Sequence, residues 1–250
     1  LGQMISMDAG DLLPPELAAI LAQLRSQAHR MPPEQLRHVL DSEWGPDWRR
    51  RFARFSATPI AAASIGQVHR ATLPDGRELA IKVQYPGVRE SIDSDVDNVA
   101  TLLRVSGVLP RELDLAPLLT EAKRQLHEEA DYEREAAQMI RFADWLDGHA
   151  DYVVPRPLPE LTTARVLAMD FIDGIPIEAL ADAPQEQRDA AMRDLMALVL
   201  REMFEFGAMQ TDPNFANYRF QPDAGRLVLL DFGAARDVEP ATAQGYRSLL

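Results

Sequence analysis

The spacing of apolar residues changes period twice along the chain, and this constrains the fold more than any other feature. Up to about Phe55 apolar residues recur at helical spacing, as in PPELAAILAQLRSQAHRM. Pro14-Pro15 and Pro32-Pro33 suit helix first turns, with Glu16 and Glu34 complementing the positive ends. From Ile60 to Gln84 the pattern becomes that of two strands, SIGQVHRATL and ELAIKVQY, around a PDG turn. From about Ser94 to Leu146 it is helical again, and APLLTEAKRQLHEEADYEREAAQMIRFADWL reads as one long helix dense in Glu. Two short strands follow, YVVPRPL and ARVLAMDFIDG. A long amphipathic helix then ends at Gly207, before a loop, a strand, a turn and a strand through TDPNFANYRF and GRLVLLDFGAAR. This order is not the regular alternation of a doubly wound sheet. It predicts an α+β fold with a helical segment over 1–58, a small sheet with one helix over 59–173, and a mostly helical unit over 174–250.

Composition narrows the chemistry. A chain of 250 residues is long enough for one large domain or two lobes around a cleft. With Lys+Arg 26 against Asp+Glu 39 the net charge is −13, which disfavours nucleic acid and repels anionic lipid on average. The arginines of WRRRFARF, Trp48 to Phe55, form a candidate basic patch, and the favoured reading is a solvated helix face. The absence of cysteine excludes disulfides, thiolate nucleophiles and Cys-ligated zinc. The five histidines show no metal-ligand spacing. No apolar run is long enough to span a bilayer, and no signal peptide opens the sequence. Both ends read as cuts in a longer protein.

The candidate chemistry lies in four places. Lys82 stands at the centre of the strand ELAIKVQ. Before it, Ala61-Ala62-Ala63-Ser64 occupy a turn where a phosphate-holding loop would carry glycines. Asp212 and Asn217 have the spacing of the catalytic-loop Asp and Asn of protein kinases. Asp231-Phe232-Gly233 follows the apolar strand RLVLL, where a carboxylate is placed to hold a divalent ion over phosphates. Each has a plain structural reading: a solvent-facing lysine, an ordinary hairpin, an Asx turn, a tight turn. The four in one order are far more specific than any one of them. A kinase-like site also needs a glutamate on the helix after the lysine strand. Glu128, Glu129, Asp131, Glu133 and Glu135 are available, with Asp131 and Glu135 sharing a face. Most of these charges serve helix solubility.

The segments LGQ, AAASIGQVH, AIKVQYPGV, EADYEREAA, MQTDPNFANY and LLDFGAAR together resemble the UbiB (aarF-like) atypical kinase family, in the branch linked to coenzyme Q biosynthesis. The resemblance covers nearly the whole chain. It implies a protein-kinase-like two-lobed fold with an N-terminal helical extension over the active site and a truncated C-terminal lobe. It also implies an alanine-rich loop, Ala61 to Ser64, in place of the glycine-rich one. Lys82 is similar to the phosphate-anchoring lysine and Glu135 to its helix partner. Asp212 matches the catalytic aspartate, and Asn217 and Asp231 match the metal ligands. Met169, Asp170 and Phe171 fall at the nucleotide hinge. Glu129 and Asp131 match an ExD motif, and Gln3 matches the end of a KxGQ motif on the lid helix. The lysine of that motif would stand just before Leu1, and Gln210-Thr211 replace the His-Arg of ordinary protein kinases.

The implied activity is that of an ATP- and Mg²⁺-binding kinase or ATPase supporting ubiquinone synthesis, without broad protein phosphorylation. Implied partners are a quinone-precursor lipid and quinone-biosynthesis enzymes. The implied location is the cytoplasmic face of the inner membrane or the mitochondrial matrix face, with peripheral membrane contact. The alternative is a nucleotide-gated scaffold for a biosynthetic complex. A phosphotransferase of the aminoglycoside or choline type is disfavoured by AAASIGQ and LGQ.

Overall fold

The computed structural model describes residues 31–63, 65–105, 116–212 and 214–249. Gln3 and Ser64 lie outside them. The N-terminal sheet grows around the predicted hairpin. Strands β3 (Gly66–Thr72) and β4 (Glu78–Gln84) pair antiparallel through seven residue pairs, and the Asp75-Gly76 turn closes with Gly76 at φ 90°. β1 (Arg54–Phe55) and β2 (Ala61–Ala63) share the outer edge of β3. β6 (Val166–Asp170) lies on the other side of β4.

Both faces of this sheet are covered, so ELAIKVQ is buried at every position after Glu78. Successive side chains on a strand point to opposite faces. Leu79, Ile81 and Val83, with Val166 and Ala168 of β6, meet Leu36, Leu40, Trp44, Trp48 and Phe52 on one face. Those residues come from α1 (Pro33–Trp44), the short 3₁₀ turn after it and its C-cap Phe52. Pro33 and Glu34 begin α1 as the sequence predicts. WRRRFARF differs from the predicted solvated helix. Trp48–Arg51 is the 3₁₀ turn, Trp48 and Phe52 are core, and Arg54–Phe55 is a strand edge. The aromatics outweigh the arginines here because burying each removes a large apolar area from water.

The opposite face carries Ala80 and Lys82, with Leu167 and Met169 of β6. It meets α4 (Tyr132–Trp145), whose Tyr132, Ala136, Met139 and Phe142, with the C-cap Leu146, form one stripe at helical spacing. α2 (Val88–Val105) and α3 (Ala116–Glu129) precede α4. The single long helix predicted through this region is broken between α3 and α4. Asp131 has an extended backbone (φ −111°, ψ 91°), and its Oδ1 accepts the Arg134 amide at 3.1 Å as an N-cap.

The C-terminal part contains more sheet than predicted. β5 (Tyr152–Val153), β10 (Arg226–Leu229), β9 (Tyr218–Gln221) and β7 (Ile175–Pro176) form one four-stranded sheet in that order. β8 (Ala208–Gln210) and β11 (Ala235–Asp237) form a two-stranded ladder. α5 (Gln185–Arg201) continues through one π turn to Gly207, whose φ of 64° ends it at the predicted residue. Leu195 and Leu198 of α5, with Phe220, Leu227 and Phe232, join the same core as α4. α6 (Pro240–Arg247) follows β11. No helix among the described residues is long and apolar enough to cross a membrane.

Candidate active site

Strand alternation turns Lys82 toward α4, where it is 6% exposed. Its Nζ donates to Glu135 Oε1 and Oε2 at 2.9 and 3.0 Å and to Asp231 Oδ2 at 3.1 Å. Glu135 is delivered by the first turn of α4, because the Asp131 cap sets where that helix begins. The Tyr132 ring lies 5.1 Å from Nζ, a cation–π contact. Asp231 follows the buried strand β10, and its Oδ1 accepts the Gly233 amide at 3.0 Å. The Asp231 side chain keeps 34% exposure, so an edge not used by Lys82 remains open.

Electrostatics divides the two carboxylates. Burial is the largest influence on all three groups. It opposes the Lys82 charge, but Asp231 and Glu135 reverse it and hold the ammonium well above its usual value. Burial would raise Asp231 too, but the Lys82 charge and the Gly233 amide bring it below the usual carboxylate value. Burial outweighs the pull of Lys82 at Glu135 and pushes it to about 7. One ammonium thus serves an ionised Asp231 and a Glu135 that takes up a proton near neutrality.

Of the catalytic-loop candidates, Asn217 ends a short 3₁₀ turn, Phe215–Asn217, and Asp212 lies in the loop before it. Asn217 Nδ2 donates to Asp212 Oδ2 at 3.0 Å, so the two side chains are joined and the side-chain oxygen Oδ1 of Asn217 is left over. The Leu230 amide donates to the Asn217 carbonyl at 2.9 Å, which fixes this loop to the residue before Asp231. Gln210 Nε2 donates to the Asp231 carbonyl, and the Asp212 amide donates to Gln210 Oε1 at 3.2 Å. The Asx turn in TDPNFAN is made by Asn214, whose side chain accepts the Ala216 amide, rather than by Asp212.

The alanines form a strand. Ala61, Val68, Lys82 and Leu167 line up in one row across the sheet, with Ala61 and Ala62 exposed and Ala63 half-buried. Gly66 closes this turn. A Cβ there would stand 2.2 Å from the Val83 carbonyl oxygen, so only glycine lets β3 approach β4 this closely. At the predicted hinge Met169 is buried, and the amides of Asp170 and Phe171 donate to Arg156 and Glu78 carbonyls. The Arg70 guanidinium covers the Phe171 ring at 4.2 Å.

Glu129 lies beside Gly233, its Cγ 3.9 Å from where a Cβ on that glycine would be. Asp131 and Glu135 do not share a helix face as predicted, since Asp131 is the cap and its carboxylate is turned to the Arg134 amide. Two contacts had no sequence signal: Gln210 on the Asp231 carbonyl, and Arg134 on the Gly233 and Ala235 carbonyls. Gln67 and His69 of SIGQVH are structural. Gln67 accepts the Met31 amide and bonds His69 Nε2, and His69 Nδ1 donates to the Ser56 carbonyl. Burial keeps His69 below its usual pKa, which suits this neutral tautomer.

A strand lysine held by a helix carboxylate, beside a DFG aspartate and an Asp–Asn loop, with an antiparallel N-terminal sheet and a mixed C-terminal one, defines an α+β protein-kinase-like protein. The profile of the ABC1 atypical kinase-like domain matches residues 23–250, and the chain belongs to that UbiB/aarF-like family. It is 43% identical over 237 residues to atypical kinase COQ8B, mitochondrial, of Danio rerio, covering 95% of this chain and 38% of that one. It is 40% identical over 250 residues to atypical kinase COQ8, mitochondrial, of Saccharomyces cerevisiae, covering all of this chain and 50% of that one. The chain thus spans half or less of the length of these curated relatives. Among solved structures, Rv3197 of Mycobacterium tuberculosis, in complex with erythromycin, is similar at a TM-score of 0.69 and 32% identity, covering 95% of this chain and 60% of that one.

Proposed function

We propose that this chain binds ATP with Mg²⁺ in the cleft of Lys82, Asp212 and Asp231 and supports ubiquinone biosynthesis by ATP hydrolysis or small-molecule phosphorylation. The observation that carries the reading is the Lys82 ammonium shared between Glu135 and Asp231, with the joined Asp212–Asn217 pair on the adjoining loop. The donor set suits the cation. The Asp231 carboxylate and the spare Asn217 oxygen are hard ligands, and Mg²⁺ takes few protein ligands when phosphates and water complete its shell. Mg²⁺, when bound, supplies charge neutralisation at the phosphates.

The chain's own residues do the rest. Lys82 anchors the phosphates, and Glu135 keeps the lysine on the cleft face of β4. Asp212 accepts the proton from the attacking hydroxyl or water, and Asn217 orients Asp212. Ala61 to Ser64, the strand β2 and the residue after it, cover the phosphates with a stiffer segment than glycines would form, because each Cβ restricts φ. Met169, Asp170 and Phe171 border the base. Gln3, Glu129 and Asp131 belong to the lid side of the site. The quinone-linked role, its lipid and enzyme partners, and a membrane-face or matrix location draw on the family and on the mitochondrial names of its relatives.

The test is Mg²⁺-dependent ATP hydrolysis and nucleotide binding by the purified chain, beside Asp231→Asn, with and without a quinone-precursor-like phenol and lipid vesicles. Turnover that requires Asp231 and rises with phenol or lipid is expected. Metal-dependent binding that survives Asp231→Asn would overturn the metal assignment. Tight binding without turnover would make the chain a nucleotide-gated scaffold.

A further inference from the structure

Two adjacent residues of the first turn of α4 grip the segment around Asp231 from two sides. Glu135 acts through Lys82 on the Asp231 side chain. Arg134 acts on the main chain, its Nη1 donating to the Gly233 carbonyl at 2.8 Å and its Nη2 to the Ala235 carbonyl at 2.7 Å. The other carbonyls from Asp231 to Ala235 have partners of their own. Gln210 takes that of Asp231, the Ala235 amide takes that of Phe232, and Thr211 takes that of Ala234. The Asp231 carboxylate is itself turned by the Gly233 amide, so the position of Gly233 decides where Oδ1 points.

We propose that Arg134 is a positioning residue for Asp231: its guanidinium fork on the Gly233 and Ala235 carbonyls holds the backbone that presents the metal-facing carboxylate. The fork reaches the two carbonyls with two separate nitrogens in one plane, which the single ammonium nitrogen of lysine does not reproduce. The Asp131 cap sets the register of the fork, because it accepts the Arg134 amide and so fixes where this first turn lies. Glu128 and Arg236 continue the hold to α3. Glu128 Oε2 lies 3.9 Å from Arg134 and 3.4 Å from Arg236, which also bonds Glu121. The inference rests on the reading of Asp231 as a metal ligand.

The experiment compares the full chain with Arg134→Lys and Arg134→Gln by two measurements. The first is the Mg²⁺ concentration that half-saturates binding of a fluorescent ATP analogue. The second is hydrogen exchange at the amides of Phe232 to Ala235. In both variants the Mg²⁺ midpoint is expected to rise about tenfold. Metal-free nucleotide binding through Lys82 is expected to stay within twofold, and exchange at Gly233 and Ala235 to speed up by tenfold or more. A midpoint and exchange rates within twofold of the parent would overturn the proposal. So would full rescue by lysine, or a global loss of fold in both variants, which would make Arg134 a stability residue. A parent that shows no Mg²⁺-dependent nucleotide binding would refute the functional reading instead, and local exchange alone would then decide the positioning role.

Discussion

Glu202 shows how one residue can set a pH response. It is 2% exposed, its Oε2 accepts the Gln210 amide at 3.1 Å, and its Oε1 has no hydrogen-bond partner among the described residues. Burial, only partly offset by that amide, pushes it to about 7 from the usual 4.5. The folded value lies above the unfolded one. Its stabilising contribution is therefore complete below about 4.5 and lost as pH rises through about 7. Glu202→Gln removes the titration while keeping an acceptor. Its melting temperature is expected to fall less between pH 6 and 8 than that of the parent, and equal falls would mean that Glu202 does not titrate there. Glu135 adds a fall of the same sign in both proteins, so the difference isolates Glu202. At the reacting centre, Asp212→Asn is expected to lower turnover about 10²- to 10⁴-fold. ATP affinity, measured by calorimetry, should stay within twofold. Turnover at the parental rate would remove Asp212 from the chemistry.

At the scale of elements, two junctions carry the site. The β2–β3 turn depends on Gly66, where a Cβ would be 2.2 Å from backbone. Gly66→Ala is expected to destabilise the fold by about 1–3 kcal/mol, as overpacking does, in a denaturant titration. A change under a few tenths would mean that β3 and β4 separate at no cost. The α3–α4 break depends on Asp131. Asp131→Ala removes the cap and is expected to cost about 1 kcal/mol. It should also weaken nucleotide binding, since Arg134 and Glu135 leave the same first turn. A loss of stability with unchanged binding would separate the cap from the site.

Over the whole molecule, the N-terminal sheet is the shared wall of two cores. One core runs through α4 and down to α5 and Phe232. The other holds Trp44, Trp48 and Phe52 on the face opposite Lys82. Trp48 meets Phe55 edge-on at 4.9 Å and donates Nε1 to Asp41 at 2.9 Å. Trp48→Ala is expected to cost about 3–5 kcal/mol in equilibrium unfolding. A loss below 1 kcal/mol would show that the 3₁₀ turn after α1 packs without contributing to the sheet.

Local chemistry was legible in the residues alone. The hairpin around PDG, the proline-started α1, the stop at Gly207 and the strand around Lys82 each follow from a few neighbouring positions, because φ preferences, caps and strand alternation act over a turn or a strand. The order of Lys82, Asp212, Asn217 and Asp231 was legible for the same reason, as short runs with distinct spacing. Three features were not legible. A continuous Glu-rich helical pattern does not show that Asp131 leaves the helix to cap the next one. The short runs around Val153 and Arg219 do not show which strands they will pair with. Nothing near Arg134 shows that it will reach Gly233. These depend on partners as far as 149 positions apart, as Lys82 and Asp231 are. Such contacts form only when packing the two cores brings the elements together, so the fold, not the local pattern, chooses which of five acidic residues meets the lysine.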